Sequence, residues 1–245
     1  MKYIRFTAPL ICVAMFTFLA SCGGGEQKTA ATDSTAVDTT KAAPAPVINT
    51  IVTTPQNMVI VIHKVADFAK WKVGYESDDS ARLANGIHNY VIGRGLKDST
   101  MVLVALKIDD TAKAKAFAKN PALKKAMQKG GVIGTPTMYF NTATWQDTAI
   151  IDTKIRVNTM LNVKDFDAWV KSFEEGKQER LENGIVTRVV GHDLNDSKKV
   201  RLVTALTDTA KAFAYYKSDA IKKRMQASGV IGEPVRFIFR IVKRY

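Results

Sequence analysis

The sequence predicts an α+β protein made of two tandem βαββαβ repeats that close against each other into a pseudo-dimeric α/β barrel. Three observations predict it. The second half of the chain repeats the first at a constant offset of 98 residues: 34 of the 83 positions in 58–140 are identical in 156–238 without a gap, as two copies of one domain would be. Within each copy the apolar period runs two, helical, two, two, helical, two. This order covers one face of a four-stranded sheet with helices and leaves the other bare, so each copy needs a partner. A single-copy domain finds that partner by dimerising, whereas a tandem chain can supply it internally.

The elements follow in chain order. Lys2 and Arg5 precede an apolar run from Ala8 to Ala20, and Leu19-Ala20-Ser21-Cys22 closes it with small residues before a cysteine. This pattern resembles the lipobox of bacterial lipoprotein signals, which implies a signal peptide at 1–21, cleavage before Cys22, and acyl chains on that thiol as the bond to membrane lipid. Processing would leave 34 Lys+Arg against 23 Asp+Glu, a balance of +11, and no free thiol, since Cys12 and Cys22 are the only cysteines. Disulfides, thiolate nucleophiles and cysteine-ligated metals are thereby excluded. No later segment offers the run of about 18 apolar residues that a membrane-spanning helix needs. Residues 22–56 are mostly Gly, Ala, Thr, Asp and Pro, which reads as a flexible tether reaching on the order of 30 Å.

Repeat one is expected at 57–148 and repeat two at 149–245. The first strand is Met58–Ile62. Phe68, Trp71, Tyr75 and Leu83 recur at helical spacing from Asp67, the expected N-cap, to the Asn85-Gly86 stop. Strands follow at Ile87–Ile92 and Val102–Leu106. A helix then spans Thr111 to Lys129, broken at Asn120-Pro121 where proline disfavours continuation, and Thr137–Phe140 is the closing strand. The join near 142–155 has no Gly or Pro run, which predicts close docking of the copies.

This is the split βαβ, ferredoxin-like order. Together with Asp-Phe-x-x-Trp at the first helix, the Asn-Gly turn and Gly-Val-Ile-Gly-x-Pro before the last strand, it resembles the dimeric α/β-barrel superfamily that includes antibiotic-biosynthesis-monooxygenase-like domains. The resemblance covers nearly all of 57–240 and lies in topology and turn residues, so it implies fold and not activity. In haem-degrading members a histidine holds the iron, and His63, His88 or His192 is the position such a role would fall on.

Period-two alternation sorts the strand residues by face. Ile87, Val91, Ile185 and Val189 are assigned to the face under the helices. His88, Tyr90, Ile92 and Arg94, with Val186, Arg188, Val190 and His192, are assigned to the barrel lining. The same sorting puts Arg156, Asn158, Arg201 and Arg236 of the second copy on the lining, opposite Met58, Ile60, Leu103 and Met138 of the first. The expected ligand-binding set is therefore His88, Tyr90, Arg156, Arg188, His192, Arg201 and Arg236. Converging guanidinium groups suit a carboxylate, a phosphate or a haem propionate, although any of these arginines could instead pair with an acid or reach solvent.

Other motifs carry less. No histidine pair has metal-ligand spacing, so no metal is expected. Trp71 and Trp169, with Tyr75 and Phe173, read as core. Glu76, Arg82, Glu174 and Arg180 read as a helix-surface or interhelical ion pair. The Gly131-Val132-Ile133-Gly134 and Gly229-Val230-Ile231-Gly232 runs follow a helix and do not open one, which is turn chemistry and not a phosphate loop. No Ser/His/Asp arrangement is recognisable and no cofactor is expected. The positive charge alone would suit nucleic acid, but an envelope location on the periplasmic face or cell surface argues against that partner. The expectation is a lipid-anchored envelope protein, more a binding module for a small, partly apolar organic anion than an enzyme. The alternatives are a cofactor-independent or haem-dependent monooxygenase or isomerase using the same cavity, and a structural envelope protein with a filled barrel.

Overall fold

The structure, a computed structural model, describes residues 49–245; the segment read as a signal peptide, Cys22 and the expected tether as far as residue 48 lie outside the described residues. A two-residue strand, β1 (Ile51–Val52), lies within the stretch read as tether and pairs with the strand that closes repeat one. Repeat one comprises β2 (Gln56–Val65), α1 (Phe68–Ser77), α2 (Asp79–Leu83), β3 (Ile87–Gly95), β4 (Met101–Ile108), α3 (Thr111–Ala118), α4 (Pro121–Lys129) and β5 (Val132–Asp147). Repeat two comprises β6 (Ile155–Val163), α5 (Phe166–Glu175), α6 (Lys177–Glu182), β7 (Ile185–Asp193), β8 (Lys199–Leu206), α7 (Thr209–Tyr215), α8 (Asp219–Ala227) and β9 (Val230–Arg244).

Local chemistry explains the helices. Asp67 and Asp165 accept from the main-chain N–H of Lys70 and Ala168, both at 2.8 Å, and Asp110 accepts from Ala112 and Lys113. Asn120 caps α4 with Pro121 in its first turn, where the missing N–H has no partner to lose. Gly86 (φ 64°) and Gly184 (φ 68°) end the first helical stretch of each copy in the left-handed region. The expected helix from Asp67 to Ala84 is in fact two, α1 and α2, divided at Asp78.

The strands run β5-β2-β4-β3-β9-β6-β8-β7, and β7 pairs back to β5, so all but β1 of the nine strands close a barrel. The fourth strand of each copy makes the seam. β5 pairs with β2 of its own repeat as far as Ala143, and Asn141–Gln146 pair with Val189–Asp193 of the other. β9 does the same between β6 and β3. The closing strand read as Thr137–Phe140 is thus 16 residues long and takes up much of the join at 142–155. Its second half has its partners in the other copy, which no local pattern announces. At each seam a glycine meets the opposite strand too closely for a side chain, against backbone at one and against a ring at the other. A Cβ on Gly191 would lie 2.1 Å from the Thr142 carbonyl oxygen, and one on Gly93 would lie 2.1 Å from the Phe239 ring.

Four apolar clusters result. Val59, Val61, Trp71, Val104 and Ile108 centre the one beneath the helices of repeat one. Two lie under those of repeat two, around Val157 and Leu206 and around Trp169 and Val200. Met58, Leu103, Ala143 and Phe239 form the last, inside the barrel, with contributions from both repeats.

The alternation argument fails in the second strand of each copy. The ladder between β3 and β4 slips between Asn89 and Val91, and that between β7 and β8 slips between Thr187 and Val189. An inserted residue resets the pleat, so everything after it faces the other way. Val91 and Val189 therefore pack inside the barrel, and Ile92 and Val190 pack under the helices. Met138 also belongs to the helix side, and so does Arg236.

Candidate anion-binding cavities

The barrel lumen holds a cavity with about 80 Å³ of free space, room for roughly five to eight water molecules at about 10–15 Å³ each. Repeat one lines it with Met58, Ile60 and Leu103, and repeat two with Arg156, Asn158, Arg188 and Arg201. Tyr90 and Arg188 sit at the two slips, where the extra residue brings both into the lining beside Val91 and Val189.

Each arginine is held differently. The Arg188 guanidinium donates to Asp147 Oδ2 at 2.6 Å and also to the Ala149 carbonyl. Asp147 is steadied on its other oxygen by the Thr50 hydroxyl at 3.0 Å and the Ala149 N–H at 2.9 Å. Arg201 donates through Nε to the Asn141 side-chain oxygen at 2.9 Å and lies over the Tyr139 ring. Arg156, 4% exposed, donates only to the main-chain carbonyls of Thr153 (2.7 Å) and Ile155 (3.0 Å). Burial and the neighbouring Arg188 and Arg244 charges bring its pKa down to about 10. Burial also lowers those of Arg188 and Arg201. Of the lining arginines Arg188 alone pairs with a carboxylate among the described residues, Asp147, and the buried Arg156 has none.

Of the set expected on the lining, Tyr90, Arg156, Arg188 and Arg201 come together in the lumen, and three residues do not. His88 is exposed at the start of β3, its Nε2 2.7 Å from Asp109 Oδ2. His192 follows the slip in β7 and packs edge-on against Phe166 at 4.8 Å, its Nδ1 against the Asp193 carbonyl. Arg236 lies over the Tyr216 ring on the helix side. The sequence reading missed Asn141 and Asp147, which lie on the hidden length of β5.

Two further cavities occupy equivalent places between sheet and helices. The one in repeat one has about 90 Å³ of free space and is lined chiefly by apolar groups with His63, Trp71, Tyr75 and Arg82. The one in repeat two has about 70 Å³ and includes Trp169, Phe173, Arg180, Tyr215, Tyr216 and Arg236. The recurring Arg82 and Arg180 are not surface groups: each is 5% exposed and stacked on an aromatic ring, Tyr75 or Phe173. The expected Glu76–Arg82 pair does not form either. Arg82 pairs with Asp79 at 3.2 Å, and Glu76 with Lys72 and Lys243. His63 is buried with neither ring nitrogen bonded, and burial brings its pKa down to about 4.

These placements bear on haem. His88 sits at the solvent-accessible start of β3, tied to Asp109, and His192 packs on the helix side against Phe166. His63 offers a free donor, but its pocket has room for about six to nine waters, far short of a porphyrin. The residues present do not fit the group.

No protein-family model matches the sequence, and no curated protein sequence matches it. Solved structures do resemble the fold. An anthrone oxidase-like protein superposes with a TM-score of 0.54 at 14% identity, covering 80% of this chain and 95% of its own. A "putative monooxygenase" from Fusobacterium nucleatum gives 0.51 at 15% identity, covering 78% of this chain and 94% of its own. A "putative chlorite dismutase" gives 0.51 at 14% identity, with 78% and 96% covered. The class that architecture and likeness define together is the dimeric α+β barrel with ferredoxin-like halves. Here both halves lie on one chain.

Proposed function

We propose that this chain is a binding protein whose barrel lumen takes a small, partly apolar organic anion. The observation that supports it most is Arg156, a buried guanidinium with no carboxylate partner among the described residues, facing the apolar side chains of the other repeat. A carboxylate-bearing ligand would neutralise Arg156 and rest its hydrocarbon part on Met58, Ile60 and Leu103. The lipobox at Cys22 adds a location to this reading: the domain hangs from a membrane of the cell envelope. Among the described residues no helix is long and apolar enough to cross a membrane. Incorporation of labelled palmitate that is lost in Cys22→Ser tests the anchor.

Thermal melting with hexanoate, and with hexanol as the neutral control, tests the lumen. Near 100 times the Kd a ligand stabilises by about 2.7 kcal/mol, which raises Tm by roughly 5–10 °C for a domain of this size. Hexanoate should produce a saturable rise that hexanol does not, and Arg156→Met, which copies Met58, should abolish it. No rise in the wild type, or an undiminished rise in the variant, rejects the reading.

The names carried by the fold neighbours suggest an oxygenase using the same cavity. Oxygen uptake with an anthrone, above the spontaneous rate and lost in Arg156→Met, would favour that reading over simple binding.

A further inference from the structure

The two helix–sheet cavities occupy equivalent places, yet their linings differ in kind. Val61 and Leu106 of repeat one correspond to Thr159 and Thr204 of repeat two, Phe117 and Ala118 to Tyr215 and Tyr216, and Met138 to Arg236. One further difference removes a charge partner. Arg82 is neutralised by Asp79, whereas Arg180 finds Lys177 at the equivalent position.

Arg180 therefore has no ion pair among the described residues. One of its guanidinium nitrogens donates to the Phe173 carbonyl, while Nε and Nη2 are buried without any partner. Arg236 lies over Tyr216, 4.7 Å from the ring centre, and its Nε is likewise buried and unpartnered. Of the nearby carboxylates, Glu179 is taken by Arg224 at 2.6 Å, and neither Glu174 near Arg180 nor Glu233 near Arg236 forms an ion pair with that arginine. Two guanidinium groups without an ion pair in one mostly apolar pocket lack hydrogen-bond acceptors, a costly arrangement unless an anion completes it.

We infer that the helix–sheet pocket of repeat two is a second anion site, separate from the lumen, in which Arg180 and Arg236 clamp the carboxylate of a small aromatic or aliphatic acid. Planar carboxylates match the two free donors of Arg180. Trp169, Phe173 and Ile221 supply a surface for the rest of the molecule. The equivalent pocket of repeat one lacks this chemistry, because its arginine is already paired and methionine stands in place of Arg236.

Titration of the ¹⁵N-labelled protein with benzoate, read at the Trp169 indole N–H and assigned by Trp169→Phe, tests this site by itself. The signal should move saturably with benzoate and not with benzyl alcohol, while the Trp71 signal of the other pocket stays in place. Arg236→Met, which installs the residue repeat one carries, should weaken the apparent affinity at least tenfold. Arg180→Lys, which keeps the charge and loses the fork, should weaken it as well. Arg156→Met alters only the lumen and should leave the Trp169 titration unchanged. A still Trp169 signal in the wild type, or an unaltered titration in Arg236→Met, overturns the inference and leaves the lumen reading to its own test. A titration lost in Arg156→Met and kept in Arg236→Met assigns the anion to the lumen alone.

Discussion

Met58, Ile60 and Leu103 of repeat one stand opposite Arg156, Asn158 and Arg201 of repeat two on the same barrel lining. The helix-side pockets differ the same way, with Met138 and a paired Arg82 in one and Arg236 and an unpaired Arg180 in the other. One backbone plan thus carries an apolar interior and a basic one. Backbone and core depend on turns, caps and apolar spacing, which the copies share. The difference teaches that polar chemistry in this molecule is concentrated in repeat two, while repeat one supplies packing surface.

Substitutions can break or sharpen this comparison. The seams should show the largest effect. Gly191→Ala drives a methyl into the Thr142 carbonyl, which cannot move without opening the β5–β7 ladder. A loss of about 4 kcal/mol is expected by urea denaturation. Gly93→Ala meets a side chain instead, so shortening it with Phe239→Leu in the same molecule should recover part of the loss. Equal losses at both glycines with no recovery would show that the seams do not differ in this way.

His63 comes next. Its folded pKa of about 4 lies below the ordinary value of 6.5. As pH falls from about 6.5 to 4 the unfolded chain takes up a proton that the folded chain refuses, so stability is present above this window and lost on descending through it. The loss is about 3 kcal/mol. His63→Leu, which copies Leu161, should remove that component and flatten urea midpoints across the window. Parallel pH profiles for the two proteins would mean that His63 is not buried as described.

Lys177→Asp would restore the acid that repeat one has at Asp79. It should stabilise the protein by about 1–2 kcal/mol through a pair with Arg180, and weaken benzoate at the Trp169 pocket. The smallest effect is expected at Glu76, where Lys243 and Lys72 hold the carboxyl pKa down to about 2. This partly exposed cluster ties the α1 helix to the end of β9, and Glu76→Gln should cost under about 1 kcal/mol, shrinking with salt.

Much of this was legible from residues. Asp67 caps its helix as expected, the Asn85-Gly86 turn ends the helical stretch that follows, and the offset of 98 announced the second copy. Sorting by alternation worked on β2, β6, β4 and β8, where the pairing is unbroken through the residues in question. It failed beyond residues 90 and 188, because a bulge carries no residue signature and reverses every face after it. That reversal sent His192 under the helices.

The burial of Arg82 and Arg180 was hidden for another reason. A charged residue at a helical position reads as solvated, and only its packing onto Tyr75 or Phe173 makes it interior. The sequence by itself determined the repeat, the element order and the apolar faces, since these follow from spacing and turn chemistry along a continuous stretch of chain. Tertiary structure alone decided the seams, the slips in register and which arginines are left without an acid. Each of those depends on groups brought together from opposite copies or distant strands, which no local pattern can encode.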